Sequence, residues 1–441
     1  MNLNRLSTKY QRSSEIDISD PISTLKNLEL SGLLDNSYMV YEKENELTIA
    51  FGNRTEVIAQ YPKVSFKRGS NVEEVITSDP IKTARDLFSG LETGTWVAYG
   101  YLAFDLVKYY FNYPKASVIP ELYFFIPTTI IQAKGHKALV YSLGDIDYIV
   151  SCLRNNYSEN DAAIAFNLRI TDEDLGSYND KVLAAKKRII EKRMSKAIIS
   201  RSVIVDGELD IISTYLLATK LNNSARSFAL KAVGASAVGC SPEILLICEN
   251  NKNIVTNPLA GTRARGTNQL DDEHLYNELF SNAKEVKEHA LSIYIAQEEI
   301  RSVSKEDSVF VSDFLDVRKY RCVQHLSSKV GGQLREGYDM FDAIKAVFSG
   351  VTVSGIPKGE AIKAIGSLEQ EPRGIYAGAI GWLDSAGSCD LALALRSAFQ
   401  YGSQVYLTAG AGIVEESVPA FEYKESQNKM KTIADAIVMR S

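Results

Sequence analysis

NPLAGTRARGTNQLDDEHLYNELFSNAKEVKEH, residues 257–289, reads as a turn-rich loop that runs into one long helix, over 272–300, with a polar face. Glu285 and Glu288 are three residues apart, so their carboxylates lie on one face about a turn from each other. Like charges so placed repel, and the helix gains nothing from them unless something positive sits between. A divalent cation is the simplest candidate, because carboxylates backed by ordered water are the usual way to hold Mg2+ beside an anionic ligand. An ordinary solvated face, with Lys284 paired to Glu288 at i,i+4, accounts for the same letters. A second acidic face shifts the balance. In ESVPAFEYKESQNKMKTIADAIVM (416–439) a helix starts after Pro419, and Glu422, Glu425 and Lys429 recur at spacings of three and four. Two such faces, each with a lysine within one turn, favour a shared metal site over coincidence.

The rest of the chain sets the bounds. It has 441 residues, 45% hydrophobic and 24% charged, the balance of a globular protein with one large core or two moderate ones. No run of roughly 18 uncharged apolar residues occurs, and the start, MNLNRLSTKYQRSSEIDISD, lacks the apolar core of a signal peptide. A cytoplasmic location away from membranes is expected. Cys152, Cys240, Cys248, Cys322 and Cys389 form no CxxC, and His136, His274, His289 and His325 form no HExxH. These spacings offer neither a disulfide framework nor a zinc centre. A net charge of -6 without a long basic stripe argues against nucleic acid as the main partner.

Along the chain, 38–67 reads as short strands between polar turns. GTWVAYGYLAFDLVKYYFNYP (94–114) passes from a strand into a helix that Pro114 stops. LYFFIPTTIIQAKGHKALVYSL (122–143) reads as two antiparallel strands joined across Lys134-Gly135. Strands connected this locally favour an antiparallel α+β fold over a doubly wound parallel sheet. The polar segment 150–175 is the expected linker.

Further on, an amphipathic helix over 177–194 feeds the strand AIISRSVIV, with Lys196 at the junction, where its ammonium either projects into a cleft or is a solvated terminus. Glu243, in GCSPE, precedes the apolar run ILLI. Partial burial there would raise its pKa, as a general acid requires, although an ordinary strand-entry glutamate has the same letters. The chain is expected to end in three strands, IYAGAIGWLD, CDLALALRSAFQ and SQVYLTAGAGIV. Arg396, in the middle one, is the candidate fork for a carboxylate, the alternative being a surface arginine. AGAGI (409–413) is small enough for close backbone approach to a ligand. It is not GxGxxG and opens no βαβ unit, which excludes a dinucleotide site.

Taken together, these motifs resemble the chorismate-utilising enzymes: anthranilate, aminodeoxychorismate, isochorismate and salicylate synthases. The resemblance runs from about residue 180 to 435. It rests on SKAIISR (195–201), CSPE (240–243), PLAGTRARG (258–266), KEVKEH (284–289), VQHLSS (323–328), TVSGIPK (352–358), RGIYAG (373–378), LALRS (393–397), AGAGIV (409–414) and SxPxxExxExxxK (417–429), with GYLAFD (100–105) suiting the family's N-terminal part. It implies an α+β fold, one large domain of two subdomains with antiparallel sheets flanked by helices around a central cleft. An N-terminal part, 1–175, would be mostly antiparallel strands, and 176–441 would be the chorismate-binding catalytic part. It also implies Mg2+ held by Glu285, Glu288, Glu422 and Glu425, with Glu288 and Glu425 closest. Arg396 and Tyr376 resemble the residues that hold the enolpyruvyl carboxylate, and Gly261, Thr262, Gly410 and Lys429 match positions around the ring.

Lys196 stands where ammonia-using anthranilate synthases have glutamine and where isochorismate and salicylate synthases have lysine. The implied chemistry is water addition at ring C2, with Lys196 as base and Glu243 as the acid for the departing C4 hydroxyl. PLAGT has Ala260 where the best-known aminodeoxychorismate synthases carry a nucleophilic lysine. VQHL, TVSG and GTRARG resemble salicylate synthases more than isochorismate synthases. Tyr376 and Leu395 agree, and His325 and Thr352 would border the intermediate that loses pyruvate. Salicylate made this way commonly enters siderophores. Asn282, the Phe348-Ser349-Gly350 turn and Ala420 depart from the family pattern, without touching a proposed ligand or proton-transfer residue. Isochorismate synthase, an anthranilate synthase component I-like enzyme and a non-catalytic chorismate-binding protein are the alternatives. A monomer without an obligate amidotransferase partner is expected.

Overall fold

The computed structural model describes residues 10–91, 94–154, 165–166, 168, 170 and 174–440. Its strands pair antiparallel throughout. Two long strands join its halves. Glu46–Gln60 pairs with Leu122–Lys134 along its length, with a register shift between Asn53 and Thr55. Gly52 lies beside the shift at φ +73, where a Cβ would lie 2.2 Å from Thr128 Oγ1. A bulge of this kind bends the strand and strengthens its twist.

On one side of the bend, pairing continues through Tyr38–Lys43, Arg226–Ala232, Ala235–Ser241, Ser397–Tyr401 and Gln404–Ile413 to Lys196–Asp206. On the other, it runs from Leu122–Lys134 through Val97–Leu102, Ala379–Asp384, Cys389–Leu393, Ile244–Glu249 and Asn253–Asn257 to Val323–Gln333. The result is an α+β fold with an extensive antiparallel sheet flanked by helices. Strands from before and after residue 175 neighbour each other in both halves.

Alternation assigns the side chains. Phe228 and Leu230 enter one apolar cluster with Tyr99, Tyr101 and Phe125. Ala229 faces the opposite way, into a second cluster with Leu25, Tyr215 and Ile433, from helices Pro21–Leu30, Ile211–Leu221 and Pro419–Ala434. Each large apolar side chain so buried contributes about 1.5–3 kcal/mol.

Three expectations need correction. The helix expected over 272–300 is two, Gln269–Ser281 and Ala283–Arg301. Asn282 breaks it: its backbone is extended, and its side-chain oxygen accepts the Glu285 N–H at 3.2 Å, so the second helix starts afresh on its own cap. The loop before these helices holds a strand, Leu259–Ala264, with a bulge at Gly261. The run expected as one strand, CDLALALRSAFQ, is two strands, interrupted over 394–396, where Arg396 has φ +53. Most of the expected linker, 150–175, lies outside the described residues.

Candidate active site

Lys196 opens the strand Lys196–Asp206 and is 1% exposed, so its charge needs a partner close by. Its Nζ lies 2.8 Å from Glu288 Oε1 and 3.4 Å from Ser292 Oγ, both on helix Ala283–Arg301. Burial pushes the Glu288 carboxyl up, but Lys196, Lys284 and Lys429 together bring it below the ordinary value. The neighbouring strand leaves room for this pair at Gly412, where a Cβ would stand 2.7 Å from Glu288 Oε1 and 3.1 Å from Lys196 Cε. At Gly410 a Cβ would stand 2.8 Å from the Ile199 carbonyl oxygen. The small residues of AGAGI therefore make space for the protein's own groups.

Glu243 is buried beyond Pro242. Its Oε1 accepts the Thr352 hydroxyl at 2.5 Å and the Leu259 N–H at 3.2 Å. Burial raises the carboxyl to about 7, against the opposing pull of those two bonds and of Lys196 and Arg396. Lys196 and Glu243 line one shared cleft. The other site residues named from the sequence line it too, except Glu422, which is buried beside Lys284.

One wall is cationic. Arg396 Nη2 lies 2.8 Å from His325 Nε2, and no carboxylate pairs with this guanidinium among the described residues. Burial lowers its pKa. The His325 imidazole is held well below its ordinary pKa by burial, then by Arg396 and Lys429, so it is neutral. Tyr376 is buried nearby, its hydroxyl pushed up to about 12 by desolvation. Lys429 Nζ donates to the Gly410 carbonyl at 3.0 Å and meets Glu425 at 2.6 Å.

Each glutamate of the set has a cation beside it. Arg263 Nη1 meets Glu285 at 2.8 Å, and Glu285 also accepts the Thr262 N–H at 3.1 Å. The expected Lys284–Glu288 pair is replaced: Lys196 takes Glu288, and Lys284 crosses to Glu422 on helix Pro419–Ala434 at 3.4 Å. Burial and then Glu425 raise Glu422 to about 7. Among the described residues no three His, Cys, Asp or Glu side chains form a ready-made metal group. In chemistry the set fits a hard cation, since every donor is a carboxylate oxygen.

The profile of the chorismate binding enzyme family matches residues 35–435. The chain belongs to that family. It is 32% identical over 416 residues to the salicylate synthase of Mycolicibacterium paratuberculosis, spanning 93% of this chain and 92% of the relative. To anthranilate synthase component 1 of Methanothermobacter marburgensis it is 38% identical over 262 residues, 59% of this chain and 57% of that one. The crystal structure of anthranilate synthase component I from Streptococcus pneumoniae superposes with a TM-score of 0.74 at 25% identity, covering 88% of this chain and 92% of the other. No helix among the described residues is long and apolar enough to cross a membrane.

Within this chorismate binding enzyme, reading the sequence missed three contributors. Arg263 anchors Glu285, Gly412 makes room for the Lys196–Glu288 pair, and Lys284 ties the two acidic helices together. All three stood in quoted motifs, GTRARG, AGAGIV and KEVKEH, but their partners depend on which elements face each other, which local spacing does not encode.

Proposed function

We propose that this chorismate binding enzyme is a Mg2+-dependent salicylate synthase. The observation that carries the reading is the pairing of a buried lysine with a buried carboxyl of raised pKa on one cleft, beside a guanidinium without a carboxylate partner. Arg396, with Tyr376 beside it, receives the enolpyruvyl carboxylate of chorismate. Lys196 is the general base for the water that attacks ring C2, its Nζ positioned by Glu288 Oε1 at 2.8 Å and Ser292 Oγ at 3.4 Å. Glu243, whose raised pKa of about 7 keeps part of it protonated at neutral pH, gives its proton to the C4 hydroxyl, which leaves as water while the ring double bond shifts. Isochorismate then loses pyruvate: the C2 hydrogen moves to the side-chain methylene, the C3–O bond breaks, and the ring becomes aromatic. That step needs no further acid or base, only a cleft that holds the side chain over the ring. His325, Thr352 and Leu395 border that space. Glu285, Glu288, Glu422 and Glu425 would hold the Mg2+, which when bound supplies the positive charge that lets an acidic wall face a carboxylate.

The full-length likeness to a salicylate synthase supports this product. Likeness to an anthranilate synthase over 262 residues supports a second reading, amination of chorismate. Chromatography of the products from chorismate and Mg2+, with and without ammonium, tests both. Salicylate with pyruvate is expected. Isochorismate alone would make the enzyme an isochorismate synthase, and ammonium-dependent anthranilate would overturn the proposal.

A further inference from the structure

We infer that Thr262 and His325 form a relay that aims Arg396, so that His325 acts as a positioning residue for substrate binding. The inference rests on the reading of Arg396 as the carboxylate fork. Arg396 leaves the backbone at an interruption between two strands, at φ +53. Its guanidinium has no carboxylate to fix it, and the His325 Nε2 bond at 2.8 Å is its one hydrogen bond among the described residues. A long side chain tethered so sparsely is oriented by that single acceptor.

Both ends of the imidazole specify the same proton position. A guanidinium can only donate, so Nε2 must be unprotonated. On the other side Nδ1 lies 3.3 Å from the Gly261 carbonyl, which can only accept, and 3.0 Å from Thr262 Oγ1. The ring is therefore neutral with its proton on Nδ1, held between Arg396 and the Gly261–Thr262 bulge. Backbone register builds this arrangement, since Thr262 and His325 are direct cross-strand partners of Leu259–Ala264 and Val323–Gln333. With both nitrogens engaged inside the protein, His325 borders the cleft without a free proton to offer the ring, and its polar influence on the substrate runs through Arg396.

Chorismate affinity of the full chain in Mg2+, read by titration calorimetry, tests the relay without reference to product. kcat/KM serves where binding becomes too weak to saturate. His325→Leu should weaken binding about tenfold or more, raising KM more than it lowers kcat. His325→Gln, whose amide oxygen can accept from Arg396, should recover most of the loss. In an Arg396→Leu background, adding His325→Leu should cost nothing further. Additive losses, or normal binding with loss confined to kcat, would overturn the relay. Should His325→Leu fail to fold by circular dichroism, Thr262→Val enters the same cycle, and its loss must likewise vanish without Arg396. Anthranilate as product with an intact cycle would sink the salicylate reading alone. Salicylate with an additive cycle would sink the relay alone.

Discussion

Glu243→Gln separates the two consequences of burying this carboxyl. Its pKa rises from 4.5 to about 7, which at about 1.4 kcal/mol per tenfold change in proton affinity amounts to about 3 kcal/mol. The folded protein binds this proton more tightly than the unfolded chain does. Stability from Glu243 is therefore full below pH 4.5 and is lost as the pH rises through about 7. Glutamine keeps the shape and can accept from Thr352 and the Leu259 N–H, yet never ionises. Urea unfolding should place the variant within about 1 kcal/mol of wild type at pH 5, and about 3 kcal/mol above it at pH 9. Turnover should meanwhile fall by about 10²- to 10⁴-fold, since the acid is gone. A variant no more stable than wild type at pH 9, or one with near-normal turnover, would refute the assignment of a buried, protonated acid.

The other sites make separable predictions. Lys196→Met should abolish turnover and, by stranding buried Glu288, destabilise the fold by about 3–5 kcal/mol; adding Glu288→Gln should restore the melting temperature without restoring turnover, and recovery of activity in the double variant would remove the lysine from the chemistry. Gly412→Ala pushes a Cβ into a position 2.7 Å from Glu288 Oε1, so kcat should drop at least about tenfold with the overall fold intact by circular dichroism, whereas wild-type kcat would show that the pair has slack. Chelation with EDTA should abolish turnover and added Mg2+ should restore it; Glu425→Gln should raise the Mg2+ concentration needed, and an unchanged requirement would take Glu425 out of the ligand set.

Local pattern in the sequence carried much of the fold. Apolar runs on either side of Lys134-Gly135 marked Leu122–Lys134 and Lys137–Ser142, and amphipathic spacing over 177–194 marked the helix Leu175–Ile190. Pairing across the chain was beyond it: nothing in YMVYEK announces Arg226–Ala232 as its neighbour, because antiparallel partners are chosen by burial on both faces. The interruption at 394–396 also gave no signal, since LALR contains neither glycine nor proline and Arg396 takes a positive φ that its type rarely adopts. The helix break at Asn282 was legible in principle, as asparagine is a strong cap, but the acidic periodicity on either side masked it. In the site, the motifs selected residues scattered from 196 to 429, and the strands gather all but Glu422 around one cleft. Charge partners were harder. A lysine four residues from a glutamate suggested a local pair, yet the buried Lys196 claims Glu288 and leaves Lys284 to bridge two helices.

Turnover of chorismate in oxygen-18 water with Mg2+, followed by mass spectrometry of the aromatic product, tests most directly whether Lys196 and Glu243 add water across the ring. Salicylate carrying one heavy oxygen in its phenol, released with an equal amount of pyruvate, is the result expected. Unlabelled salicylate, or anthranilate formed only when ammonium is supplied, would contradict it.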